Sequence, residues 1–195
     1  KVEEPASFYA ATKKSNELFA YSYSKLYGIP VTGLRFFTVY GPAGRPDMAY
    51  FSFTDKIVNG EPVQLYNNGE MMRDFTYIDD VIHAIIAIIN KGREEVKFKE
   101  PYKVYNVGSS NPVKITYLVD ELESCLIETG VIEKKAERIF MPMQSGDVYK
   151  TFADMSDFET DFGFKPMTDM KYGLRSFCKW YANIYKSGKY KEGLL

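Results

Sequence analysis

The apolar positions change period several times along the chain. In Phe8–Tyr27, Phe19, Tyr23 and Leu26 recur at i, i+4 and i+7, one face of a helix. Ser7 supplies its N-cap, Gly28 can close it, and Pro30 bars its continuation. Val31–Phe37 reads as a buried strand, and Thr38–Met48, with Gly41, Pro42, Gly44 and Pro46, as a loop. A short helix over Ala49–Val58 ends at Asn59-Gly60. Val63–Tyr66 and Asp74–Tyr77 read as short strands around the turn Asn67-Asn68-Gly69. Asp79 or Asp80 is expected to cap a helix running to about Asn90. That helix is apolar around most of its circumference, which predicts burial.

The charged segment Arg93–Pro101 reads as a surface loop and Val104–Val107 as a strand. Thr116 is expected to cap a helix to Thr129, stopped by Gly130. Arg138–Met141 reads as a strand, Pro142–Lys150 as a loop and Ser156–Phe162 as a helix closed by Gly163. A last helix opens at Thr168 and runs to about Tyr185. Strands alternating with helices predict an α/β fold, and no linker or repeat divides the chain, so 1–195 is expected to form one compact unit.

Composition narrows the function. The 195 residues are 45% hydrophobic and 26% charged, ordinary globular values. The net charge of −1 removes the main electrostatic reason for a nucleic-acid or anionic-membrane partner. The apolar run Val81–Ile89 is broken and too short to span a bilayer. One histidine, His83, and two distant cysteines, Cys125 and Cys178, offer no cluster for a transition metal, so no metal site is expected. His83 is expected to be structural, and the cysteines to be reduced core or boundary thiols.

Tyr9 and Lys13 stand at i, i+4 and share a helix face. An ammonium beside a phenol favours the phenolate, and a phenolate can act as a general base. Tyr21/Lys25 and Tyr185/Lys189 have the same spacing, so spacing alone carries little. Only Tyr9 is followed by small residues, Ala10-Ala11-Thr12, which let a ligand approach the helix. Only that helix leads into a strand, Leu34-Arg35-Phe36-Phe37, ending in a glycine/proline loop. Ligands of open α/β sheets bind beyond such strand ends.

Phe8-Tyr9-Ala10-Ala11-Thr12-Lys13-Lys14-Ser15-Asn16-Glu17 resembles the catalytic helix of the extended short-chain dehydrogenases/reductases. Leu34-Arg35-Phe36-Phe37-Thr38-Val39-Tyr40-Gly41-Pro42 is similar to the next motif of their nucleotide-sugar epimerase branch. Arg73-Asp74-Phe75-Thr76-Tyr77-Ile78-Asp79-Asp80-Val81, Tyr105-Asn106-Val107-Gly108 and Gly146-Asp147-Val148 continue the series in family order. Gly44-Arg45-Pro46-Asp47-Met48-Ala49 and Met141-Pro142-Met143-Gln144 bring it nearest the branch that acts on UDP-glucuronate. The family also has a Gly-rich strand–loop–helix that takes the NAD pyrophosphate. No GxxGxxG occurs here, and the family's catalytic Ser/Thr ahead of the tyrosine is also missing. The resemblance therefore implies the C-terminal part of such an enzyme, with the N-terminal Gly-rich half absent. Residues 1–48 would hold the catalytic helix, strand and loop of the Rossmann part, and 49–195 mostly the substrate-binding region.

The resemblance implies an NAD-dependent epimerase interconverting UDP-glucuronate and UDP-galacturonate through a 4-keto intermediate, inactive as this piece alone. Tyr9 would be the base and Lys13 its partner on the nicotinamide ribose, with Phe37 bordering the nicotinamide. Thr38 would face the sugar, Arg45 the loop beside it, and Arg73 the diphosphate. Gln64 and Tyr66 would border uracil, and Asp147 would lie near the nucleotide. The resemblance further implies a cytoplasmic homodimer, pairing through the first helix and Ala49–Val58. Two alternatives stay open: a 4,6-dehydratase or uronate decarboxylase of the same family, and a non-catalytic nucleotide-sugar-binding or dimerisation module.

Overall fold

In the computed structural model, which describes residues 4, 5, 7–95, 101–144 and 146–186, the Ser7 hydroxyl accepts from the amide of Ala10 at 3.1 Å. It opens α1 (Phe8–Tyr27), and left-handed Gly28 closes it. Only Ser24 of this helix is buried. Phe19, Tyr23 and Leu26, the predicted apolar face, are exposed.

β1 (Val31–Phe36) is half-buried rather than buried, because α1 covers one face only in part. The predicted strand ends one residue early, and a further strand, β2 (Thr38–Tyr40), follows where a loop was expected. Its backbone is satisfied from far along the chain. The remaining elements are α2 (Ala49–Val58), β3 (Val63–Leu65), a 3-10 turn over Asn67–Gly69, β4 (Met72–Arg73), β5 (Phe75–Tyr77) and α3 (Ile78–Glu95). After these come β6 (Tyr102–Val107), β7 (Val113–Lys114), α4 (Ile115–Glu128), β8 (Arg138–Phe140), α5 (Ser156–Phe162) and α6 (Met170–Lys186).

β1 pairs parallel with β6, β2 with β5 and β3 with β8, while β4 and β7 pair antiparallel. The segments around Asn67–Gly69 therefore form no hairpin. β3 and β5 each lie beside a strand distant in sequence.

α3 departs from its prediction in three ways. It begins at Ile78, ahead of both expected caps, and Asp80 instead accepts from the amide of Thr168 at 3.0 Å. It runs through positions 93–95, which had read as loop; positions 96–100 of that loop lie outside the described residues. Its apolar circumference is not buried throughout: Val81 and Ala84 face inward, whereas Ile82, Ile86 and Ile89 are exposed. His83 lies beside the ring of Phe164, with centroids 6.4 Å apart. The last helix opens at Asp169, whose carboxylate accepts from the amides of Lys171 and Tyr172, rather than at Thr168. α4 likewise begins at Ile115, with Lys114 at its cap position in place of Thr116.

Two hydrophobic clusters hold the chain. One joins α2, α4 and α6 to β2, β3 and β5 through Tyr40, Phe51, Leu122 and Phe177. The other joins α3, β6 and α5 through Ala84, Tyr105, Phe158 and Phe162. Tyr50, Phe51, Thr54 and Ile57 place the buried face of α2 inside its own chain, so that face is not available for pairing with a second copy. Cys125 and Cys178 are buried free thiols on α4 and α6. Glu123 of α4 is fully buried and accepts from Arg138 at 2.6 Å and from the amide of Ala136 at 3.0 Å. Such a carboxylate is tolerated only because it is paired. Among the described residues no helix is long and apolar enough to cross a membrane.

Candidate functional site

β1 and β2 are almost one strand, broken at Phe37. The amide of Phe37 still donates to Val107 at the end of β6 (3.1 Å), whereas the next amide, Thr38, donates to Asp74 ahead of β5 (3.2 Å). The strand thus changes partner between Phe37 and Thr38. Two diverging parallel pairs leave a crevice at such a point, which is where open α/β sheets bind ligands.

A cleft of about 1180 Å³ opens there. Tyr9, Phe37, Thr38 and Arg45 line it together with Asn106 and Tyr50. The N-cap at Ser7 puts Tyr9 in the first turn of α1, 70% exposed. The amine of Lys13 lies 5.5 Å from the Tyr9 ring, on the same helix face, but Lys13 itself lines neither of the cavities described here. Burial pushes the phenols of Tyr40 and Tyr50 up from their ordinary values, so both stay protonated at neutral pH. Arg45 points to solvent and pairs with Asp47 at 3.2 Å. The loop below it depends on a glycine: a Cβ on Gly44 would lie 1.6 Å from the hydroxyl oxygen of Tyr50, which donates to the carbonyl of Gly41.

A second pocket of about 390 Å³ adjoins the first. Thr38 lines both. Gln64, Tyr66, Arg73 and Asp147 line the second, so residues scattered from 38 to 147 meet in one place. Arg73 donates to Asp147 at 2.7 Å and to the carbonyls of Met72 and Tyr149 at 2.9 and 3.4 Å. It is thereby held before any ligand arrives, with 16% of its side chain exposed.

Asp74, fully buried, fixes the surrounding loops. One oxygen accepts from the amide and hydroxyl of Ser109, the other from the amides of Ser110 and Ala153. Gly108 lets these segments close up, since a Cβ there would stand 2.3 Å from that of Ala153. Glu17 plays a similar part for α1: its carboxylate accepts two bonds from Arg35, at 2.5 and 2.7 Å, and its carbonyl accepts from Tyr102 at 3.0 Å. The hydrogen bond from Arg35 holds the Glu17 carboxyl below its ordinary value, against partial burial, which acts the other way.

Sequence reasoning missed Asp74, Ser52 and Lys56. A signal for the last two existed: Ala49, Ser52, Phe53 and Lys56 stand at i, i+3, i+4 and i+7, and all four line the smaller pocket.

The helix-bearing parallel α/β scaffold, with its cleft at a strand switch point, is of the Rossmann type. The comparisons agree. Residues 1–108 match the model of the NAD dependent epimerase/dehydratase family, and the chain belongs to that family. It is 46% identical to Protein CapI of Staphylococcus aureus, over 95% of this chain and 57% of that protein. It is 43% identical to UDP-glucuronate 4-epimerase 1 of Arabidopsis thaliana, over 95% of this chain and 44% of that one. The chain spans about half the length of these relatives. Among solved structures, the UDP-glucuronic acid 4-epimerase of Bacillus cereus, in complex with UDP-glucuronic acid and NAD, superposes with a TM-score of 0.78. It is 30% identical, covering 93% of this chain and 55% of that one.

Proposed function

We propose that this chain is the catalytic-helix and substrate-binding part of an NAD-dependent 4-epimerase that interconverts UDP-glucuronate and UDP-galacturonate. The observation that carries this is that Thr38 lines both cavities, one of which also holds Tyr9 and the other Arg73 with Asp147. A nucleotide sugar has the same layout, a reacting ring joined through a diphosphate to a base. Relatives bearing the name UDP-glucuronate 4-epimerase support the choice of sugar.

Arg73 would grip the diphosphate through its guanidinium, already oriented by Asp147 and two carbonyls. Tyr66 and Gln64 would border the base. Thr38, where the cavities meet, would donate to the uronate carboxylate, and Arg45 would add positive charge from the loop. Tyr9 as phenolate, its charge balanced by the Lys13 ammonium, would take the proton of the C4 hydroxyl, become the neutral phenol and later return the proton.

The residues present fit the redox end of the cofactor: a phenol and an ammonium on one helix face, beside a wide cleft and the Phe37 backbone. NAD, when bound, supplies the acceptor and donor of hydride at the sugar C4. The glycine-rich turn that would hold its pyrophosphate is not in these 195 residues. Turnover is therefore assigned to the whole protein of which this chain would be part. We read that protein as a homodimer paired through the exposed Phe19, Tyr23 and Leu26 face of α1.

The test is incubation of that whole protein with UDP-glucuronate and NAD, following the sugar C4 by proton NMR. Appearance of UDP-galacturonate, without net change in NADH, is the expected result. Loss of water or carbon dioxide from the sugar would mark the dehydratase or decarboxylase reading instead.

A further inference from the structure

Lys56 is the second cation of the smaller pocket, and its position differs from that of Arg73. Arg73 is engaged with Asp147 at 2.7 Å. Lys56, half-buried on the pocket face of α2, has no ion-pair partner among the described residues. The neighbouring carboxylate, Asp55, accepts from the hydroxyl of Tyr181 at 2.8 Å. The carboxylate that lines the cavity, Asp147, is held by Arg73, and a half-buried ammonium that no carboxylate pairs favours a ligand that brings an acceptor.

Its place along the pocket says which part of a ligand it meets. Ala49 starts α2 just past the glycine/proline loop of the large cleft. Lys56 lies seven residues further, about 10 Å along the helix axis, away from that cleft. Its carbonyl accepts from the amide of Glu61 in the turn that leads into β3, so Lys56 stands near the entry to the strand that carries Gln64. With the sugar in the Tyr9 cleft, this end of the pocket receives the base.

We propose that Lys56 is a base-selecting residue, donating to the 4-oxo group of a uracil-type pyrimidine and disfavouring cytosine. The proposal rests on the nucleotide-sugar reading of the pocket. Gln64 cannot make this choice alone, since its amide both donates and accepts and can turn to suit either base. A lysine ammonium only donates. It matches the carbonyl at C4 of uracil and opposes the amino group that cytosine carries there.

Calorimetric titration of the purified protein with UDP and CDP tests this. Wild type is expected to bind UDP at least about tenfold more tightly than CDP. Lys56→Met should weaken UDP by about tenfold and leave CDP unchanged, so the preference collapses, whereas Lys56→Arg, still donor-only, should keep it. Equal losses for UDP and CDP would overturn the proposal in favour of a phosphate contact or a supporting role. Unchanged UDP affinity in Lys56→Met would also overturn it. If wild type binds neither nucleotide, the nucleotide-sugar reading itself falls, and the base-selecting role with it.

Discussion

Glu17 and Arg35 form a two-bonded ion pair, Nε to Oε1 at 2.5 Å and Nη2 to Oε2 at 2.7 Å, that fastens α1 to β1. In the helix that carries Tyr9 only Ser24 is buried, and Tyr102 of β6 adds a hydrogen bond to the Glu17 carbonyl and an edge contact with the Tyr21 ring. Because the folded-state pKa of Glu17 is lowered from about 4.5, its contribution is fully present above that value and is lost as pH falls through the folded value. Glu17→Gln should cost about 1 kcal/mol at neutral pH and flatten the acid limb of the stability curve below pH 4.5. Thermal melts of both proteins between pH 7 and pH 3 measure this; parallel acid limbs would contradict it.

Tyr9→Phe, made in the whole protein, should abolish epimerisation while leaving the affinity for UDP within about twofold. The ring remains and the proton acceptor goes, and Tyr9 lies in the large cleft rather than the smaller pocket. Retention of more than about 1% of kcat would remove Tyr9 from the role of base.

Thr38→Val should lower kcat/KM for UDP-glucuronate by about ten- to a hundredfold, the worth of one hydrogen bond to a carboxylate. UDP-glucose, which has no carboxylate, should be affected far less. Equal losses would show Thr38 supporting the junction of the two cavities without reading the uronate.

Asp74→Ala should destabilise the fold by about 3–5 kcal/mol, because it leaves the buried amides of Ser110 and Ala153 and the amide of Ser109 without their acceptor. Chemical denaturation gives the number. A loss below about 1 kcal/mol would mean that water replaces the carboxylate.

The bounds of α1 were legible because Ser7 and Gly28 are local signals whose chemistry does not depend on the rest of the chain. β2, β4 and β7 were not. β4 and β7 have two residues each, too few for an alternating pattern, and Thr38–Tyr40 runs straight into the glycine/proline loop and is a strand only through Phe75–Tyr77. The burial of α3 was misjudged for a related reason: an apolar circumference shows what could be covered, not what covers it, and Ile82, Ile86 and Ile89 stand exposed. In the site, the small residues after Tyr9 and the strand that follows its helix set the Tyr9/Lys13 pair apart, and motif resemblance gave the pair its role. The meeting of Gln64, Arg73 and Asp147 also came through resemblance, since no periodicity links residues so far apart. Lys56 was overlooked although its face of α2 had the right spacing.

The sparse burial of α1 has a consequence for amide exchange. A helix with one buried residue opens to solvent at far lower free energy than α4, whose Leu118, Val119, Leu122 and Leu126 are sealed in the main core. Its backbone amides should take up deuterium long before those around Arg73 and Asp74 do. In this chain the Tyr9 end of the cleft can thus fray and re-form while the Arg73 end stays shut.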